Sequence, residues 1–229
     1  MIKFLAALFM YIDHTGLVFC PQYDIMRLVG RLSMPMFAYA LARGYDHSRM
    51  KYGLPRYFFR LMIFAIVSQL PYRYLVQDGK TLNIGATWLA GLAMLVALDK
   101  RRWKAPDFLT KYRAVCGFAV GCLITIGTVV GVVHIDYGVY GIFLPAAFYV
   151  TIVKRGDYYK AFTCMAALWG VYTLLYGGNI ANAFGFFAIP LIAVIERTHV
   201  DGVIRLPKLT YYIFYPAHIA LLVICQLIL

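Results

Sequence analysis

The chain has 229 residues, 62% of them apolar and only 14% charged, with a mean hydropathy of +0.72 and a formal net charge of +12. A water-soluble domain carries roughly 45–50% apolar and about 25% charged residues, so this composition excludes a soluble enzyme and describes a membrane protein. The basic balance would suit a nucleic-acid partner, but the placement of the charges, given below, excludes that reading.

Apolar runs suited to a ~30 Å hydrocarbon core fall near 4–19, 25–42, 57–76, 82–99, 114–133, 137–153, 161–176, 180–195 and 209–229. They are continuous and lack the period-two alternation of a barrel strand. The predicted fold class is therefore all-α, a polytopic transmembrane helical bundle. Nine spans are expected, with Tyr176-Gly177-Gly178-Asn179 as a tight turn between two thin helices, or eight if the stretch 161–195 holds one re-entrant segment. No repeat, low-complexity tract or linker divides the chain, and 100–113 reads as a cytoplasmic loop, so 1–229 is expected to be a single domain. The first run lacks a clear small-residue cleavage site and is expected to stay as a helix, not leave as a signal peptide.

With a cytoplasmic N-terminus, 18 of the 22 basic residues lie on inside segments, among them Arg43, Arg56, Arg60, Arg101 and Arg102. Only Arg73 and Lys80 lie outside. The positive-inside rule then predicts an N-in, C-out chain and accounts for most of the net charge without nucleic acid. The five cysteines lie in or beside apolar runs with no CxxC or Cys/His metal spacing, so neither a disulfide nor a metal is predicted.

An ionisable residue at the centre of a span costs roughly 2.5–3.5 kcal/mol on insertion scales and by default marks a functional interior. Those in question are Asp13 and His14 in the first run, Arg27 and Arg31 in the second, and His218 in the last, with the polar Gln69 in the third. Asn83 opens the fourth, while His134 and Asp136 sit just before the sixth. In the predicted topology most of this polarity collects in the outer half of the bundle, with His218 near mid-depth. A cavity is expected there. Bland readings compete: Arg27 can snorkel to outer headgroups, Asp13 and Arg31 can form a packing ion pair, and His218 can bond a backbone carbonyl.

The ordered set IDHTG, LVGRLSMPMFAYAL, YFFRLMIFAIVSQLPY, LNIG, DYGVYGIF and YYIFYPAHIALL resembles the TraX family of integral membrane acetyltransferases, from Ile12 to Leu222. The family is similar in turn to the larger group of transmembrane acyltransferases. The resemblance implies transfer of an acetyl or other acyl group from cytoplasmic acetyl-CoA to an acceptor, as in N-terminal acetylation of pilin. It implies a multi-pass protein of a bacterial cytoplasmic membrane. By position it implies that Asp13-His14, Gly30-Arg31 with Pro35, and Phe214-Tyr215 with His218 are functional motifs. Gln69, Asn83 and the stretch from Tyr137-Gly138 to Gly141 also match. The expected departure is the lack of an N-terminal cytoplasmic extension.

Acyl transfer from a thioester needs a base, oxyanion donors and a grip on both substrates. His14 is the expected base because a histidine works near neutral pH with little retuning. Asp13 orients it or steadies Arg31. His218 is a second acid/base, a positioning residue or an acyl carrier. Arg31, with Arg27, Gln69, Asn83, Tyr137 and Tyr215, is expected to contact substrate, and Arg43, Arg56, Arg60, Arg101 and Arg102 to attract the phosphates of the co-substrate acetyl-CoA. A peptide, a glycan or a lipid would serve equally as acceptor, with membrane lipids surrounding the whole. Two alternatives remain: a proton-coupled transporter or permease for a small anion, and a non-catalytic assembly factor whose polar residues hold helices together.

Overall fold

The computed structural model describes residues 1–50, 53–77, 79–99, 108–177, 180–198 and 207–228. Arg101 and Arg102 lie outside the described residues. The chain is all-helical as expected: α1 Ile2–Phe19, α2 Asp24–Gly30, α3 Ser33–Met50, α4 Leu54–Val76, α5 Ile84–Leu98, α6 Phe108–Val129, α7 Gly138–Phe148, α8 Tyr158–Tyr176, α9 Ala188–Arg197 and α10 Lys208–Ile228. A π turn over Tyr149–Val153 extends α7, and a 3₁₀ segment over Ile180–Phe187 leads into α9.

Helices α3, α5 and α7 form the centre. Helix α5 is apolar on every side and packs against α3, α4, α6 and α7, so most of its residues, from Ile84 to Leu95, are buried. Helix α6 closes on it through Gly121, where a Cβ would stand 2.8 Å from the Leu89 carbonyl oxygen; only glycine allows this approach. Outside this centre stand α1, α4, α8 and α10, whose outer faces expose Ile66, Leu70, Leu174, Ile224 and Leu227. An exposed apolar surface of that extent is unlike a soluble monomer.

Two helices, Ile2–Phe19 and Leu209–Ile228, are long and apolar enough to cross a membrane, and Ile84–Leu98, Val115–Val129 and Gly138–Val153 are shorter apolar helices. Two of the expected continuous runs are broken. The run at 25–42 is split at Arg31-Leu32 between α2 and α3, and the run at 180–195 is a 3₁₀ segment followed by the ten residues of α9. The reason for the first break is packing. Gly30 sits against Asp13 of α1, Gly185 of the 3₁₀ segment lies over the Arg31 carbonyl, and Pro35 in the first turn of α3 has no N–H to continue the ladder.

At one end of the bundle the loops before α5 and α7 clamp together. Leu82 N–H donates to the His134 carbonyl at 2.8 Å and Asp136 N–H to the Leu82 carbonyl at 3.0 Å. The clamp fixes where both helices begin, and with them Asn83 and Tyr137. Between α4 and α10 lies an apolar groove of about 950 Å³, open to the side.

Candidate functional site

Adjacent residues on a helix point about 100° apart, so α1 sends His14 and Asp13 to different neighbours. His14 faces α10. Its Nδ1 stands 2.7 Å from His218 Nε2, with the two rings nearly parallel. His218 Nδ1 lies 2.8 Å from the Phe214 carbonyl oxygen one turn back along α10. A carbonyl only accepts, so that nitrogen carries the proton and, in the neutral ring, Nε2 is a lone pair. His14 Nδ1 must then be the donor of the shared hydrogen bond. The consequence is a directed pair in which His14 Nε2 is unprotonated and able to act as a base. Tyr215 meets both rings edge-on, holding them in plane.

Asp13 faces α2 instead. Its Oδ2 is 3.0 Å from Arg27 and 3.9 Å from Arg31, and Arg27 also donates to the Asp13 carbonyl at 3.1 Å. Arg27 therefore turns toward the carboxylate of α1. Asp13 is thus paired with the arginines, and among the described residues no hydrogen bond joins its carboxylate to His14. A Cβ on Gly30 would fall 2.3 Å from Asp13 Cβ, so glycine at this position is what lets α2 approach the carboxylate.

Arg31, at the break between α2 and α3, reaches across to α7 and donates to the Tyr137 hydroxyl at 3.3 Å. Tyr137 sits in the left-handed region at φ 62°, a conformation costing a non-glycine residue of order 1–3 kcal/mol and held by the surrounding packing. Next to it, in the loop before α7, burial pushes the Asp136 carboxyl up to about 6 against the opposing pull of Arg31. Thr87 of α5 donates to the Asp136 carbonyl at 2.7 Å, tying this loop to the centre.

Gln69 and Asn83 spend their hydrogen bonds on each other and on the backbone. Gln69 Oε1 accepts from both the Asn83 backbone N–H at 3.0 Å and Nδ2 at 2.9 Å, while Gln69 Nε2 donates to the Thr81 carbonyl. Asn83 Oδ1 caps α5 by accepting from Gly85 N–H at 2.7 Å, and its Nδ2 also reaches the Ala65 carbonyl. These bonds seat α5 on α4. Among the expected phosphate-binding residues, Arg43 is paired with Glu196, whereas Arg56 and Arg60 are exposed, Arg60 at one end of the α4/α10 groove.

Two voids flank the cluster. One, of about 70 Å³, is lined by Lys3 at the start of α1 and by Tyr57, Phe64, Trp88, Tyr212 and Tyr215, the last touching His14. The other, of about 10 Å³, is lined by Arg31 and Tyr137 together with Tyr140, Trp169, Tyr172 and Asn182. Trp169 and Tyr172 carried no signal in the sequence, because aromatic residues in an apolar run read as core; the polar Asn182 inside the run at 180–195 was the signal that could have been found. Among the described residues no group of three or more His, Cys, Asp or Glu stands where it could hold a metal.

The motifs near residues 14, 31 and 218 thus meet around one centre, and comparison with known proteins gives that meeting a lineage. The family model described as TraX protein matches residues 1–226. The chain belongs to the TraX family. A probable fimbrial assembly protein FimC, serogroup H1, of Dichelobacter nodosus is 26% identical over 255 residues, covering 96% of this chain and 92% of that protein. An uncharacterized protein, RP591, of Rickettsia prowazekii is 34% identical over 84 residues, covering 37% of this chain and 31% of the relative. No solved structure matches significantly, so this TraX-family fold is described from its own residues.

Proposed function

We propose that this TraX-family chain is a membrane-embedded acyltransferase that uses cytoplasmic acetyl-CoA as donor and an amine or hydroxyl as acceptor, with His14 as the base. The observation that carries the reading is the directed histidine pair, which leaves a lone pair on His14 Nε2 beside a buried Asp13–arginine cluster. The acceptor N–H or O–H gives its proton to His14 Nε2 as its nitrogen or oxygen bonds to the thioester carbon. The C–S bond then breaks, and the proton passes from His14 to the departing thiolate of coenzyme A. His218 acts as the positioning partner, accepting from His14 Nδ1 and stabilising the imidazolium that forms. Arg31 supports the reading as a donor to the developing oxyanion.

The aromatic void from Lys3 to Tyr215, about 70 Å³, holds only the thioester end of the pantetheine arm and favours an approach to His14 from that side. The exposed Arg56 and Arg60 suit the phosphates outside it. The printed name of the Dichelobacter nodosus relative concerns fimbrial assembly, which favours a peptide amine as acceptor. In this reading the chain is a multi-pass protein of a bacterial cytoplasmic membrane, N-in and C-out, with the broken α2–α3 helix held at depth by the protein around it.

That break also supports a second reading. A discontinuous helix bearing Arg31 beside a buried aspartate and two histidines suits a proton-coupled permease for a small anion. Purified protein in nanodiscs separates the two. Release of free coenzyme A from acetyl-CoA that disappears in His14→Ala is the expected result. Folded wild type that neither releases coenzyme A nor binds acetyl-CoA, but moves a solute across liposomes, would establish the permease.

A further inference from the structure

The groove between α4 and α10 is built from one face of each helix. On α4, Arg60, Ile63, Val67, Leu70 and Tyr74 recur every three or four residues, and Leu209, Ile213 and Ile224 of α10 lie opposite. The two faces do not close on each other, because Pro71 and Pro216 each interrupt a helix and α10 presents only Ala217 and Ala220 near its middle. The volume of about 950 Å³ is at the upper end of the roughly 300–1,000 Å³ of small-ligand sites. From Arg60 to Tyr74 the groove runs ~21 Å, longer than the ~15 Å hydrocarbon depth of one leaflet. Among the described residues that line it, Arg60 alone is charged. Arg60 is exposed, and no ion pair or hydrogen bond among the described residues engages it. The Tyr212 hydroxyl is near enough to feel its charge, so these two polar groups mark the same end of the groove.

We propose that this groove binds one anionic phospholipid, with its phosphate against Arg60 and an acyl chain lying along the apolar walls toward Tyr74. The site is independent of the acyl-transfer and permease readings and requires only the membrane. Charge decides the head. In the N-in orientation Arg60 stands at the cytoplasmic end of a gap between helices, where a basic group attracts anionic headgroups, and its guanidinium can grip a phosphate through paired N–H donors. Shape decides the tail. Arg60 also suits a phosphate of acetyl-CoA, but an acetyl group is too short to fill the groove, whereas a phospholipid carries its phosphate at the head of a chain that does. Phe64 and Tyr212, packed edge to face with ring centroids 5.8 Å apart, line both the groove and the void beside Tyr215. The chain thus rests on the partition between the bilayer and that void.

The test is native mass spectrometry of the full chain in detergent, titrated with dioleoyl phosphatidylglycerol and dioleoyl phosphatidylcholine. The two probes have the same chains, and only the first carries a net charge. Wild type is expected to retain one phosphatidylglycerol in preference to phosphatidylcholine. Arg60→Gln should weaken phosphatidylglycerol about 5-fold, the worth of one basic residue at an anionic membrane surface, and Arg60→Lys should keep most of the preference. Ala217→Phe, which fills the groove from its exposed side, should weaken both lipids and decides the matter if Arg60→Gln does not fold. Equal retention of the two lipids by wild type, or an Ala217→Phe variant that retains them as wild type does, would overturn the site. Weaker acetyl-CoA binding in Arg60→Gln with the lipid preference intact would give Arg60 to the co-substrate, and a lipid-free dimer would give the groove to a second copy; either result overturns the proposal. Coenzyme A release does not enter the test, so failure of the acyltransferase reading leaves the lipid site standing.

Discussion

His14 and His218 lie 204 residues apart in the chain and 2.7 Å apart in the fold, joined by a hydrogen bond whose direction is set by the carbonyl of Phe214. Because that carbonyl accepts from His218 Nδ1, the two histidines are not interchangeable. His14 holds the free lone pair and His218 orients it.

The asymmetry should appear in kinetics. His14→Ala is expected to lower kcat for coenzyme A release by about 10²–10⁴-fold, the usual contribution of a general base. His218→Ala should cost less, about 10–100-fold, and His218→Gln, whose amide oxygen can accept from His14 Nδ1, should recover part of it. Equal and complete losses in all three variants would show that His218 does chemistry of its own.

Asp13 and Arg27 form the closest ion pair of the buried cluster, so breaking it should be costly. Asp13→Asn leaves two neighbouring guanidiniums without their carboxylate and is expected to destabilise the protein by about 3–5 kcal/mol. The double variant Asp13→Asn with Arg27→Gln should lose less than the sum of the two single changes, as measured by thermal unfolding in detergent. Strict additivity would mean that the pair contributes nothing.

Gly30→Ala tests the close packing of α2 on α1. A Cβ placed 2.3 Å from Asp13 Cβ must displace the carboxylate or the helix, so folded yield and coenzyme A release should both fall sharply. Wild-type behaviour of this variant would contradict the contact.

Asp136 provides a pH dependence. Its carboxyl is raised from 3.8 to about 6, so the fold favours the neutral form. The stability linked to it is complete below about pH 3.8 and is lost as the pH rises through 6. Comparison with Asp136→Asn isolates this group. Between pH 4 and pH 7 the wild-type Tm should fall by roughly 5–10 °C more than that of the variant. Parallel curves would show that Asp136 titrates normally.

Asn83→Ala removes the cap of α5 and its link to Gln69, and is expected to cost about 1–2 kcal/mol of stability, read from thermal unfolding. With the substrate KM unchanged, the residue is a support for the site; a raised KM with unchanged stability would return it to the substrate-contacting set.

How much of this was legible beforehand differs from residue to residue. Composition alone required helices, because a chain so apolar and without period-two alternation has no other way to satisfy its backbone in lipid. The cost of burying charge singled out Asp13, His14, Arg27, Arg31 and His218, since each needs a partner wherever it lies. Which partner each found was decided by the tertiary structure. Hydrophobic patterning says that a side chain is inside but not what it faces, so it could not show that Asp13 turns to Arg27 and not to His14. It could not show that the second apolar run breaks at Arg31, a consequence of Gly30 and Gly185 packing from two sides. Nor could it distinguish Trp169 from an ordinary core aromatic: that its indole N–H is buried without a hydrogen-bond partner among the described residues is visible only in the fold.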